Sequence, residues 1–158
     1  MRAAMRALGF CNLLTSFCSL YYFVWGIQIH LGRWPGNPDK QQWNVFYVIS
    51  AVSTALVLYL AYLGVRLLRA EVAALWQVAC VFALEIALVF GNFVLTWIAT
   101  PISLGKNVMW FWGIALFSLD PQVFYGYAPL GLCAALWMAF AARNSAEQES
   151  TRFEELNG

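Results

Sequence analysis

Apolar residues dominate four stretches of the chain, and the polar positions between them mark the breaks. The first stretch, 7–31, ends at GRWPGNPDKQQ, where prolines, glycines and charges make a loop. The second covers 43–68. After a short RAEV turn the third covers 73–99 and is closed by TPISLGKN. Each supplies the roughly 20 mostly apolar residues that a helix needs to cross a bilayer core. The last stretch, 108–142, is too long for one crossing, since a continuous helix of that length would extend about 50 Å against a core of about 30 Å. FSLDPQVF supplies the break: Asp120 before Pro121 reads as an acidic N-cap followed by proline at the first helical position. The pattern therefore predicts a short interfacial or re-entrant helix over VMWFWGIALFSL and a fourth span over 121–142, bent near Gly126, Pro129 and Gly131. The closing NSAEQESTRFEELNG is polar and acidic; it has the residues for a short helix but is expected to be a mobile tail. The expected fold is all-α: a polytopic helical membrane bundle with four transmembrane helices plus the short element. It forms one domain over 1–142, with a polar cytoplasmic tail at 143–158.

Composition agrees with this class. The chain is 62% hydrophobic and 11% charged, less than half the charged fraction of about 25% usual in soluble domains. A net charge of +1 provides no basic field, so no nucleic-acid partner is expected. The N-terminal apolar run outlasts a signal-peptide core and meets no small-x-small cleavage site, so it is expected to be the first membrane helix. With four spans and both termini cytoplasmic, the inner side carries Arg2, Arg6, Arg66, Arg69, Arg143 and Arg152. The outer side carries Arg33, Lys40 and Lys106. That asymmetry favours this orientation and a multi-pass protein of the plasma (inner) membrane. Trp25, Trp34, Trp43, Trp97, Trp110 and Trp112 gather at the outer boundary, while Trp76 and Trp137 fall near the inner one.

Some residues do not suit hydrocarbon. Positions separated by 4, 7 and 11 share a helix face, which aligns Glu85, Asn92 and Thr96 on the third segment. On the first, Asn12, Ser16, Ser19, Gly26 and His30 align; on the second, Ser50, Thr54, Ala61 and Gly64. Small and polar faces suit close helix packing, so all three are expected to face the bundle interior. An acidic residue near mid-span costs roughly 2.5–3.5 kcal/mol on insertion scales. Glu85 should therefore find donors on other helices, with Ser16, Ser19, Tyr22 and Tyr59 at suitable depth. No lysine or arginine lies there, so the cheapest state is a protonated acid. The plain reading of Glu85 is a structural hydrogen-bonder; the functional one is a site for a proton, a cation or a cationic ligand. Asn92 alone is helix glue on the plain reading. His30 and Asp120 would sit at the outer mouth of such a site, or serve simply as an interfacial polar residue and an N-cap.

Catalytic chemistry has little support. There is no G-x-S-x-G, no serine or cysteine placed with histidine, no carboxylate pair on one helix and no phosphate-binding glycine loop. A single histidine cannot supply a two-histidine haem or a histidine-rich zinc site, so no metal is expected and no cofactor is indicated. Cys11, Cys18, Cys80 and Cys133 form no CxxC and read as small apolar packing residues. The run WNVFYVISAVSTALVLYLAY resembles the second helix of the tryptophan-rich sensory proteins related to the translocator protein. That family has five full spans and a proline-rich tryptophan motif where this chain has WPGNPDKQQW. Its function is therefore not carried over.

Three functional readings follow. The first is a membrane protein acting by interaction, as a subunit of a membrane complex or a module binding lipid or a hydrophobic ligand, with a buried polar site around Glu85. The bilayer and other membrane subunits are its expected partners. The second is a proton- or cation-coupled transporter or channel component using Glu85. The third is a lipid-modifying enzyme.

Overall fold

The computed structural model describes residues 1–31, 40–99 and 126–157; at several helix ends, including His30, Asn92 and Thr96, it describes the backbone alone. Within these residues the chain is all-helical. It comprises α1 (Arg2–Leu31), α2 (Lys40–Leu68), α3 (Ala73–Ala99) and α4 (Tyr127–Asn157). Three helices contain a stretch long and apolar enough to cross a membrane: Arg2–Val24 in α1, Ser50–Leu68 in α2 and Ala73–Gly91 in α3. The short element expected within 108–120, and Asp120–Pro121 with it, lie outside the described residues.

Two helix starts differ from the hydrophobic pattern for a simple reason. Arginine, alanine, methionine, lysine and glutamine are good helix formers, so α1 begins at Arg2 and α2 at Lys40, ahead of their apolar runs. The α3 bounds match the pattern. Of the residues expected to bend the fourth span, Gly126 and Pro129 stand at the start of α4 and Gly131 lies just inside it. Gly126 takes a left-handed φ of 76° and its carbonyl accepts the first helical bond, from Leu130 N–H. Pro129 then falls in the first turn, where its missing N–H is not needed. Nor does the tail form a separate mobile segment. Helix α4 runs through the expected boundary at 142 to Asn157, in a stretch free of glycine and proline and braced by an exposed Arg143–Glu147 pair at 2.8 Å. Such a pair contributes only a few tenths of a kcal/mol.

The turn between α2 and α3 is closed by backbone geometry. Glu71 N–H reaches Arg66 C=O at 3.2 Å and Ala70 N–H reaches Leu67 C=O at 2.8 Å, the two bonds of a Schellman ending. Arg66 ties the turn to α3, donating from Nε to Glu71 Oε2 and from another guanidinium nitrogen to Gln77 Oε1, both at 2.6 Å. Ala70 holds the left-handed position at φ 59°, where a Cβ is strained by about 1–2 kcal/mol. Ala70→Gly is therefore expected to stabilise the protein by about 0.5–1 kcal/mol net of glycine's entropic cost. Thermal unfolding in detergent measures this, and a lower midpoint would contradict it.

Packing follows two antiparallel hairpins. Helices α1 and α2 touch backbone to backbone, since a Cβ on Gly9 would stand 2.6 Å from Gly64 O, and one on Gly64 2.8 Å from Gly9 O. Helix α4 lies along α3, with the Phe82 ring on Gly131 and Trp76 edge-on to Phe140 at 5.3 Å. These contacts place Arg2, Arg6, Arg66, Arg69 and Arg143 at one end of the described bundle. The core at that end is apolar, made by Met5, Leu63, Leu67, Leu75 and Val78. All four cysteines are free and lie exposed on helix surfaces, outside the described core.

Candidate functional site

The α1–α2 crossing sets the level of every polar residue beyond it. Because the helices run antiparallel from Gly9/Gly64, Ser16 lies opposite Val57, about two turns further from the arginine end. Ser19 comes one turn beyond, near Ser53. From the turn at 69–72, the same count along α2 and α3 brings Glu85 to the level of residues 56–57. From Phe82 against Gly131, Glu85 also reaches the level of Ala128 on α4. The four helices thus bring one buried polar set to adjoining levels near the middle of the apolar part of α3.

Glu85 has no solvent exposure and neither carboxyl oxygen has a hydrogen-bond partner among the described residues. Ser16, Ser50 and Ser53 are buried, with hydroxyls unpartnered among the described residues, and Ser19 is buried beside them. On the arginine side of this zone Asn12 is fully buried. Its Oδ1 accepts a hydrogen bond from Tyr127 Oη at 2.5 Å, while its Nδ2 has no partner among the described residues. Tyr127 also meets the Phe82 ring edge-on at 5.5 Å and lies close enough to Glu85 to interact electrostatically with it. Below Asn12 the apolar core and the Gly9–Gly64 crossing close the interior. Above it the α1–α2 seam carries hydroxyls at 16, 19, 53 and 50.

Of the residues expected to surround Glu85, Ser16 faces inward at its level and Ser19 faces inward one turn beyond. Tyr22 and Tyr59 do not: they are 39% and 42% exposed. The helical phase explains this. The buried face of α1 is centred on Gly9, Asn12 and Ser16, and Tyr22 falls about a quarter-turn away. On α2, Tyr59 falls about a third of a turn from Ser53, Val57 and Leu60. Tyr59 stacks instead on Tyr62, whose ring lies under the Arg66 guanidinium. Thr54 and Ala61 flank the buried face of α2 rather than lead it. The side chains of Asn92, Thr96 and His30, and all of Asp120, lie outside the described residues. Ser53 and Tyr127 were not anticipated. Ser53 was legible as the i+3 neighbour of Ser50, but Tyr127 stood in an apolar run with nothing to point to Asn12.

An unpartnered buried polar group costs about 1–3 kcal/mol, and several kcal/mol in hydrocarbon. Glu85 and the serines carry that cost together, from three helices at adjoining levels. Among the described residues there is no cluster of histidine, cysteine, aspartate or glutamate able to hold a metal ion through those side chains. Compared with family models, with curated proteins and with solved structures, the chain has no significant match.

Proposed function

We propose that this is a small multi-pass membrane protein that acts by binding within its helical bundle, with Glu85 as the anchor of a buried polar site. The observation that carries the reading is the fully buried Glu85, its carboxyl unpartnered among the described residues, level with Ser16 and one turn from Ser53. A carboxyl held only for structure would be expected to meet donors on neighbouring helices; a carboxyl held for a ligand leaves its oxygens free. In this reading Asn12 and Tyr127 brace the floor of the site, and the hydroxyls of α1 and α2 line its wall. Native mass spectrometry of protein released gently from its membrane tests the proposal. Wild type is expected to retain bound small-molecule or ion mass that Glu85→Leu lacks. Identical spectra, with Glu85→Leu folded, would contradict it.

The same reading takes α4 as a fourth crossing, with both termini in the cytoplasm of a cell bounded by the plasma (inner) membrane. Its support is the packing of α4 along α3 and the gathering of arginines at one end, the end that faces the cytoplasm under the positive-inside rule. Single cysteines in a background without the four native ones test this. Asn37→Cys and Leu104→Cys should react with an impermeant maleimide from outside, and Ala70→Cys and Ala146→Cys should not. Outside labelling of Ala146→Cys would place the C-terminal end of α4 on the other side.

A further inference from the structure

The buried atoms left without partners have a common chemistry. Among the described residues, apart from Asn12 Nδ2, they are all oxygens: both carboxyl oxygens of Glu85 and the hydroxyls of Ser16, Ser50 and Ser53. Carboxylate and hydroxyl oxygens are hard donors, which hold hard cations rather than soft metals. Charge decides the valence. Among the described residues Glu85 is the sole carboxyl or basic group in this zone, Tyr127 beside it being a phenol that stays neutral, with the arginines at the bundle end and Lys40 at the start of α2. An uncompensated charge in a low-dielectric interior is strongly disfavoured. A divalent ion beside one carboxylate would leave a net positive charge, and an anion would leave a net negative one whichever state Glu85 took. A monovalent cation on the ionised carboxylate leaves none, as does a proton when the cation is absent.

We infer that the site holds a monovalent cation, bound by the Glu85 carboxylate and completed by serine hydroxyls of α1 and α2, Ser16 being level with it and Ser53 one turn beyond. The inference rests on the binding role proposed above and names its ligand class. Cation and proton exclude each other at Glu85, so the carboxyl is a neutral acid when the cation is absent and an ion pair when it is bound.

Dicyclohexylcarbodiimide, an apolar reagent that attacks protonated carboxyl groups in membrane interiors, distinguishes these states. The full-length protein in nanodiscs is labelled at fixed pH and ionic strength in sodium, potassium, tetramethylammonium or N-methylglucamine, and modification of the Glu85 peptide is followed by mass. Glu85→Gln marks background. Labelling in N-methylglucamine is expected to be slowed about tenfold by at least one of the other cations at about ten times its Kd. Protection by sodium or potassium identifies an inorganic ion, and protection by tetramethylammonium an organic head group. Ser16→Ala and Ser53→Ala should raise the concentration needed for half-protection several-fold, each variant's protection being read relative to its own rate in N-methylglucamine. Labelling equal in all four salts, or slowed by calcium alone, would overturn the monovalent cation and leave the binding site standing. A Glu85 that never reacts, even in N-methylglucamine, would overturn both, because an unoccupied neutral acid must be open to the reagent.

Discussion

Replacing Glu85 by leucine is expected to stabilise the protein while abolishing its binding. The carboxyl is fully buried and has no partner among the described residues, so wild type carries an unsatisfied polar group at a cost of about 1–3 kcal/mol. Leucine is of similar size and brings no polar atom, and apolar replacement of buried ionisable groups is often neutral or stabilising. Thermal unfolding followed by tryptophan fluorescence in ligand-free detergent should show a midpoint several degrees higher, at about 2–4 °C per kcal/mol for a chain of this size. Glu85→Gln should show no such gain, because an amide there is equally unsatisfied. The purely structural reading of Glu85 makes the opposite prediction: its partners on other helices would be stranded, and leucine would lower the midpoint. Stability lost at the site and recovered by an inactive variant is the signature of a group retained for function.

Gly9→Leu is expected to be the most disruptive single change in the described core. A Cβ at Gly9 meets the carbonyl oxygen of Gly64 at 2.6 Å and the Leu68 nitrogen at 3.0 Å, and backbone atoms cannot turn aside as a side chain can. Overpacking of this kind costs about 1–3 kcal/mol for small additions. Leucine would force α1 off α2, also displacing Asn12 and Ser16 from the site. Gly9→Ala should show a smaller loss of the same kind, measured as a lowered unfolding midpoint and weaker ligand retention. Gly91→Ala is the internal control. Among the described residues no atom outside its own helical backbone and chain neighbours stands within 4 Å of its Cβ position, so alanine should gain up to about 1 kcal/mol from helix propensity. Equal behaviour of the two glycine sites would refute the close crossing.

How much of this was legible beforehand depended on which physical rule governed each residue. Hydrophobic run length located α1, α2 and α3, because burial in lipid demands a long apolar stretch. It placed α3 at its observed bounds. It was less informative about α4, where a local backbone choice decides. Asp120–Pro121, the start expected from N-cap chemistry, lies outside the described residues, and the described helix starts after Gly126, which takes a left-handed φ. The polar tail lacked an apolar face and so read as unstructured, although its alanine, glutamate, glutamine and arginine content suffices to continue a helix already begun. Helical phase correctly brought Ser16, Ser19 and Glu85 inward. Depth alone misplaced Tyr22 and Tyr59, since depth carries no information about rotation around the helix axis. Tyr127 and Asn12 meet only through tertiary packing of α1 against α4, a pairing distant in sequence that no local pattern encodes.

The most direct measurement of the central claim is an infrared difference spectrum of the protein in bilayers, wild type minus Glu85→Gln, in a buffer whose only cation is N-methylglucamine. The account predicts a carboxylic acid carbonyl band at the high-frequency position of an acid free of hydrogen bonds, assigned to Glu85 by its loss in the variant. A difference spectrum without that band, or with one at the lower frequency of a firmly hydrogen-bonded acid, would contradict a buried carboxyl kept free for a ligand.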